Sequence, residues 1–194
     1  MTDFPVYQTA LFLHILGVLG FFIALGVSYS AVLGVRRAQT IQSITLWISA
    51  TNGVRRILFP LSGLLILVAG IYMVQTEWSE RAPWASVALI ALFILAIGAP
   101  VTQGRRLSAL RKSAAAQPEN APVTGALWAQ AHDAVTWVSV NASATFALGI
   151  VYLMTLKPDA LGSVIALLIA LVVGLVFGFL TQGRPAVAPA LARE

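Results

Sequence analysis

Five apolar stretches, each about as long as a bilayer is thick, constrain this chain more than any other feature of its sequence. A membrane-spanning helix needs about 20 apolar residues, because its backbone polar groups must be satisfied without water. None of the stretches alternates as a membrane β-strand does. The sequence therefore predicts an all-α, polytopic membrane helical bundle, with residues 1–194 forming a single membrane domain. The five predicted transmembrane helices are Tyr7–Leu33, Leu58–Val74, Trp84–Val101, Val135–Met154 and Leu161–Leu180.

The composition agrees with a membrane location. Hydrophobic residues make up 59% of the chain and charged residues 10%, against roughly 45–50% and 25% in soluble domains. The chain has no cysteine, which excludes disulfides and thiolate metal sites. The basic residues are scattered between apolar stretches and form no continuous patch, so we expect no nucleic-acid partner. The segment Met1–Pro5 has an acid and no base, so the first stretch is read as a retained span and not as a signal peptide.

The distribution of lysine and arginine predicts the orientation, because cytoplasmic loops are enriched in both. Ten of these residues would lie on one side of the bilayer and two, Arg81 and Lys157, on the other. We therefore expect a bacterial plasma-membrane protein with its N-terminus outside and its C-terminus in the cytoplasm. The ten residues are Arg36, Arg37, Arg55, Arg56, Arg105, Arg106, Arg111, Lys112, Arg184 and Arg193.

Two of the predicted cytoplasmic connections are more than simple turns. Thr40–Val54 places its apolar residues on one helical face, which predicts a short helix lying on the inner leaflet. Ser113–Thr124 contains alanines followed by Pro118 and Pro122, and is expected to be a flexible link. Residues 185–194 would form a C-terminal tail.

An internal repeat relates the second and third predicted helices to the fourth and fifth. Gly70–Arg105 aligns without gaps on Gly149–Arg184, which predicts a duplicated two-helix hairpin with parallel copies. Each copy ends in the same tetrapeptide, which could form a paired cytoplasmic site. The simpler interpretation, which we favour, is a helix stop with a glycine cap and an arginine near anionic lipid. The two tetrapeptides are Thr102, Gln103, Gly104 and Arg105, and Thr181, Gln182, Gly183 and Arg184.

Small residues recur on several predicted helices and would allow close helix contacts. Gly174 and Gly178 form a GxxxG motif, which could serve the monomer or a homo-oligomer. Pro60 lies in the first turn of its helix, where it is tolerated, whereas Pro100 is expected to kink the end of the third helix.

His14 is the leading candidate for a functional residue. No Asp, Glu, Lys or Arg lies in the central part of any predicted span, which argues against a transporter with a buried carboxylate. His14 lies in the outer half of the first helix and could bind a haem, bind a metal or carry a proton. The alternative is a neutral imidazole hydrogen-bonded to a neighbouring helix. His132, with Asp133, would instead cap the fourth helix at the other surface, too far away to share one iron.

Polar residues make the fourth predicted helix the most polar of the five. Asn141, Ser143 and Thr145 could line a small cavity or bond to neighbouring helices, and we favour hydrogen bonding across helices. Catalytic motifs such as Gly-x-Ser-x-Gly, a phosphate loop or HExxH are absent from the sequence.

Three short segments carry a resemblance to known proteins. Leu13–Phe22, Arg36-Arg37 and Leu61-Ser62-Gly63 resemble a broad group of predicted bacterial integral membrane proteins of unknown function. More distantly, the chain resembles the copper-resistance D proteins and membrane-bound haem-dependent protoporphyrinogen oxidase, because His14 lies near the start of its first membrane helix. That resemblance implies haem b as a cofactor at His14.

Three functional hypotheses follow from the sequence. The first is a non-enzymatic interaction partner or accessory subunit of another membrane protein. The second is a membrane redox protein that binds haem or a metal through His14. The third is a carrier or pore for a small solute. Under each hypothesis the lipid bilayer surrounds the helices and is the expected partner of the protein.

Overall fold

A computed structural model describes residues 4–78 and 82–183 of the chain, and within them the regular structure is helical. The N-terminal residues 1–3, residues 79–81 with Arg81, and residues 184–194 with Arg184 and the predicted tail lie outside the described residues. The helices are α1 (Phe4–Arg37), α2 (Ile41–Glu77), α3 (Pro83–Ala99), a π-helical turn (Pro100–Gly104), α4 (Arg105–Ala115), α5 (Gly125–Ala131), α6 (Ala134–Leu156) and α7 (Ala160–Thr181).

Five of the helical segments are long and apolar enough to cross a membrane, as the sequence predicts. They are α1, α2, α3 with its extension through α4, α5 with α6, and α7. At 1.5 Å per residue, the 37 residues of α2 extend over about 55 Å, well beyond a hydrocarbon core of about 30 Å. We call the end with the N-terminus of α1 the N-terminal side, and the opposite end, which carries the arginine-rich connections, the basic side.

The helix predicted over Thr40–Val54 exists, but it is not a separate helix on the membrane surface. Its residues form the first turns of α2, which continues without a break through Pro60. Ile41 and Ile44 are fully buried against other protein segments. Most of the apolar face that the sequence reveals is therefore covered by protein, because α4 and α5 pack against it, whereas Trp47 stays exposed.

The flexible link predicted over Ser113–Thr124 is also corrected. Its first residues, Ser113–Ala115, are the last residues of α4, and Ala114 has no exposed surface. The rest lies against the start of α2: the amide of Gln42 donates to the carbonyl of Glu119 at 2.9 Å, and that of Val123 to the carbonyl of Gln39 at 2.9 Å. These backbone bonds hold the segment in place.

Pro100 marks a change of helix type, and the kink expected there stays a prediction. The turn Pro100–Gly104 is π-helical and joins α3 to α4, so the chain continues as helix beyond the predicted end of the third span. Proline has no amide hydrogen for the α-helical bond, and a π-helical turn accommodates that loss.

Glycines allow two pairs of helices to pack closely. A Cβ atom on Gly17 of α1 would lie 2.9 Å from Cβ of Leu65 on α2. On α7, a Cβ atom on Gly174 would lie 2.7 Å from Cα of Ala142, and one on Gly178 would lie 2.8 Å from Cα of Val138. Both glycines of the GxxxG motif therefore serve the α6–α7 contact within one molecule.

The helix packing does not reproduce the duplicated hairpin. Helices α6 and α7 form a close pair, whereas α2 packs on α1 and makes few contacts with α3 among the described residues. Helix α3 packs instead on α6 and α7. The internal repeat therefore stays a prediction from sequence.

A well-buried apolar core lies on the basic side. It joins the end of α1 and the start of α2 to α4, α5 and the start of α6. Inside the membrane part, by contrast, many large apolar side chains are exposed, as lipid contact requires. The core residues include Val35, Ile41, Ile44, Leu110, Leu127 and Val140.

Substituting Gly174 by alanine should destabilise the protein. The added methyl group would overlap Ala142 and Thr145, and overpacking costs about 1–3 kcal/mol. Gly63→Ala is the matched control, because no atom lies within 4 Å of its added Cβ and alanine favours a helix by about 1 kcal/mol. Thermal unfolding in detergent should show a lower Tm for Gly174→Ala only. Equal Tm values for the two variants would contradict the close α6–α7 contact.

Candidate functional site

The weak contact between α2 and α3 leaves a large cavity in the N-terminal half of the bundle. Its volume is ≈ 630 Å³, and its walls come from α1 and α2 on one side and from α3 and α6 on the other. Cofactor and small-molecule sites commonly have volumes of about 300–1,000 Å³. The cavity is therefore large enough for a substantial organic ligand.

His14 lies in the wall of this cavity. Its Nδ1 atom is 3.1 Å from the carbonyl oxygen of Ile66 on α2. A carbonyl only accepts hydrogen bonds, so Nδ1 carries the proton and donates. In the neutral ring, Nε2 then keeps its lone pair, and it has no hydrogen-bond partner among the described residues. The bond to a neighbouring helix, one of the two sequence interpretations, thus orients the ring and leaves the second nitrogen available.

Gly70 makes room for the imidazole. A Cβ atom at this position would lie 3.1 Å from Cε1 and 3.2 Å from Nδ1 of His14, tighter than ordinary packing. Gly70 follows Ile66 by one helical turn, so the hydrogen-bond acceptor and the space for the ring come from the same face of α2. The position of His14 is thus determined by two residues of the second helix.

The rest of the cavity wall is mainly apolar and contains two thioethers. Met73 lies on α2 and Met154 on α6, so they belong to opposite walls. A thioether sulfur can act as a soft ligand to a metal centre. The cavity therefore combines one oriented imidazole with two methionines in an otherwise hydrophobic space.

Two tryptophans and a lysine meet at the N-terminal end of the cavity. Trp78 and Trp84 contact edge to face, with ring centroids 5.8 Å apart. The Nζ atom of Lys157 lies 4.1 Å from the centre of the Trp78 ring, a cation–π arrangement. All three residues line the cavity. This end thus offers a positive charge beside aromatic surface.

An aromatic layer closes the cavity toward the middle of the bundle. Phe21 is buried and contacts Phe59 edge to face, with ring centroids 5.3 Å apart. Leu25, Leu95 and Ala147 pack in the same apolar cluster. In the part of the chain that the structure describes, the cavity therefore ends within the bundle.

The three polar residues predicted on the fourth helix lie away from this cavity. Asn141 donates to the carbonyl of Trp137 at 2.8 Å, and Thr145 donates to the carbonyl of Asn141 at 3.2 Å, both within α6. Ser143 accepts a hydrogen bond from Nε2 of Gln103 at 3.1 Å. The predicted hydrogen bonding across helices is thus correct for Ser143 and wrong for Asn141 and Thr145.

The two copies of the tetrapeptide have different environments. In the first, Thr102 bonds to its own helix, Gln103 is buried against Ser143, and Gly104 and Arg105 stay helical. In the second, Thr181 ends α7 and accepts a bond from Nε1 of Trp137 at 3.1 Å, and Gly183 has a positive φ of 73°. The helix-stop interpretation is therefore correct for the second copy and wrong for the first. The copies do not form one paired site among the described residues.

Arg36 connects three segments at the basic side. Its guanidinium donates to the carbonyl oxygens of Gln182 and His132 and lies 4.8 Å from the ring centre of Trp137. Asp133 accepts from the amide of Thr136 at 2.8 Å and so caps α6, as predicted, and it pairs with Arg106 at 3.0 Å. These contacts fix the ends of α1, α6 and α7 relative to one another.

Fold and cavity together define a class: a multi-pass helical membrane protein with a large, mainly apolar cavity between its helices. The chain matches no protein-family model, no curated protein and no solved structure. Within the described residues there is no group of three His, Cys, Asp or Glu side chains that could hold a metal ion. The chemistry of the cavity therefore has to be argued from its own residues.

Sequence reasoning identified His14 but missed its neighbours. Met73 and Met154 fall at the C-terminal ends of their predicted spans, on the same side of the bilayer as His14 but closer to its surface. Predicted depth therefore does not group them with His14. Which wall each residue joins depends on α2 packing against α1, and no sequence signal indicates that pairing.

Gln103→Leu should destabilise the protein more than Gln182→Leu. The first change removes a buried hydrogen bond to Ser143, whereas Gln182 is bonded through its backbone carbonyl, which the substitution retains. Hydrogen bonds between membrane helices contribute about 0.6 kcal/mol on average and up to about 1.7 kcal/mol. Denaturation in detergent, with Ser143→Ala and the double variant completing a cycle, measures the coupling. A coupling of zero between positions 103 and 143 would contradict the contact.

Proposed function

We propose that this protein is a haem-binding membrane protein in which His14 is an axial ligand and the cavity between the α1–α2 and α3–α6 walls holds the macrocycle. The observation that carries the proposal is the hydrogen bond of His14, a residue of the cavity wall: Nδ1 donates to Ile66, so Nε2 keeps its lone pair. Histidines that bind metals usually donate their other ring nitrogen to a carbonyl or carboxylate in this way.

The ligands present favour a metalloporphyrin over a bare metal ion. A bare ion needs three or more protein ligands, and the described residues hold no such set of His, Cys, Asp or Glu. A porphyrin supplies four nitrogens of its own and needs only one or two axial ligands from the protein. It also fills a large apolar space, which a bare ion would leave empty.

The remaining cavity residues fit the other parts of such a ligand. Met154 lies on the wall opposite His14 and is our candidate for the second axial position. Lys157, beside Trp78 and Trp84, offers a positive charge for the propionate groups. When bound, a haem supplies a one-electron redox centre whose potential depends on its axial ligands and on burial.

The other hypotheses have less support from the geometry. An interaction or accessory role is compatible with the lipid-exposed helix faces, but no particular contact favours it. A solute pore is disfavoured by the aromatic layer of Phe21 and Phe59, where the cavity ends. Ligand binding is therefore the function we advance, in a multi-pass protein of the bacterial plasma membrane.

The purified protein, expressed with a haem supply, should show a Soret band that His14→Ala abolishes. Removing the imidazole deletes the only histidine ligand in the cavity. Adding free imidazole to His14→Ala should restore the band, because the ligand can then occupy the vacated space.

The matched control is His132→Ala, since His132 is the only other histidine and stacks on Trp128 at the basic side. That variant should retain the full band. Met154→Leu should shift the spectrum of the reduced protein, and Met73→Leu should leave it unchanged. A wild-type spectrum with aromatic absorption alone would refute haem binding and favour the accessory role.

We also propose that the N-terminal side faces outward, on the strength of the ten-to-two distribution of lysine and arginine. The cysteine-free chain allows a direct test with single cysteines at two exposed positions, Ala160 at the start of α7 and Glu119 near the start of α2. A membrane-impermeant thiol reagent should label Ala160→Cys in intact spheroplasts and Glu119→Cys only after lysis. The opposite result would reverse the orientation.

A further inference from the structure

Arg55 holds a buried nitrogen without a partner, on the side of the bundle opposite to His14. Its Nε atom is the one buried side-chain nitrogen or oxygen without a hydrogen-bond partner in residues 4–78 and 82–183. One terminal nitrogen of the same guanidinium lies 4.0 Å from the place that a Cβ on Gly104 would take. A charged donor that is partly removed from water and left unpaired is costly, so the site calls for an acceptor.

The surroundings of Arg55 favour an anion as that acceptor. The one ion pair among the described residues joins Arg106 to Asp133, so Arg55 has no acidic partner there. The charged residues nearby in sequence are also cations. Arg56 follows Arg55, and Arg105 and Arg106 follow Gly104. Because Arg106 is paired with Asp133, the charges of Arg55, Arg56 and Arg105 are the ones that would attract an anionic group to the space beside Gly104.

The depth of the site identifies the kind of anion. Arg55 precedes the apolar stretch that begins at Leu58 by three residues, and Gly104 follows the stretch that ends at Val101 by three residues. Three helical residues correspond to about 4.5 Å, which puts both positions just outside the hydrocarbon core. The phosphates of phospholipids occupy this layer.

The gap between α2 and α3 provides a place for the rest of a lipid. These helices make few contacts with each other, and each exposes apolar side chains at the boundary or just inside it. On α2 these are Ile57 and Leu61, which are 69% and 52% exposed, and on α3 Ile97 is 65% exposed. An acyl chain could cover such surface while its phosphate reaches the guanidinium.

We propose that Arg55, beside Gly104 of the π-helical turn, binds the phosphate of an anionic phospholipid whose acyl chain lies along the gap between α2 and α3. The planar guanidinium suits two oxygens of a phosphate at once, which lysine cannot match. Gly104 lacks a side chain, so no Cβ stands 4.0 Å from the terminal nitrogen of Arg55. This site is independent of the haem proposal, because it uses none of the residues that line the His14 cavity.

Native mass spectrometry of the full chain in detergent tests the site, with phosphatidylglycerol, phosphatidylcholine and inorganic phosphate as separate probes. Arg55→Gln should weaken phosphatidylglycerol binding about tenfold, because it removes a charge-assisted pair of hydrogen bonds. Arg56→Gln is the matched control: it removes the same charge from the adjacent, exposed residue and should weaken binding about twofold at most. Phosphatidylcholine should bind more weakly than phosphatidylglycerol to the wild type.

Arg55→Lys keeps the charge and serves if Arg55→Gln does not fold. It should bind phosphatidylglycerol about threefold to tenfold more weakly than the wild type, since the fork of two donors is lost. Equal losses in Arg55→Gln and Arg56→Gln would show general charge attraction and overturn the site. Displacement of the lipid by millimolar inorganic phosphate would show a free-phosphate site and overturn the lipid assignment. Unchanged binding in both Arg55 variants would show that water alone solvates Arg55.

Discussion

The lack of a hydrophobic drive between helices inside a bilayer governs this structure, because lipid tails are as apolar as the side chains they surround. The helices are held instead by two kinds of contact. Within the membrane, Gly17, Gly174 and Gly178 let backbones approach closely enough for van der Waals packing. On the basic side, extended helices bury Ile41, Ile44 and neighbouring residues in a core that resembles a small soluble domain. Close packing is therefore confined to the helix contacts at these glycines and to the core on the basic side.

This uneven packing explains why a cavity exists at all. Glycines of α1 and α7 hold α2 and α6 in two close pairs, which meet at the aromatic layer around Phe21 and are also joined by the apolar core on the basic side. Beyond that layer the pairs diverge toward the N-terminal side, and no core like that of the basic side joins them. His14 lies where they diverge. Ile66 and Gly70 of α2 orient its ring, so the contact between α1 and α2 that borders the cavity also positions the histidine in its wall.

The sequence predicts the features that depend on the length of a helix, but not those that depend on which helices pack together. The five spans follow from apolar length, and the Asp133 cap follows from local chemistry, and the structure agrees with both. The surface helix over 40–54 was misplaced because an apolar face looks the same whether lipid or protein covers it. The hydrogen bonds of Asn141 and Thr145 were misassigned because a polar side chain in a helix can reach its own backbone one turn away. The partners of His14 come from another helix and leave no trace in local sequence.

The identical tetrapeptides show most clearly how context outweighs a motif. In the first copy Pro100 stands two residues before Thr102, whereas the aligned position before Thr181 is Phe179. The missing amide of Pro100 is accommodated by a π-helical turn, which carries the helix past Gln103 and buries that side chain against Ser143. The second copy has no such turn among the described residues and ends at Gly183 with a left-handed backbone. The same four residues thus end one helix and continue another, and the continuation in the first copy brings Gly104 beside Arg55.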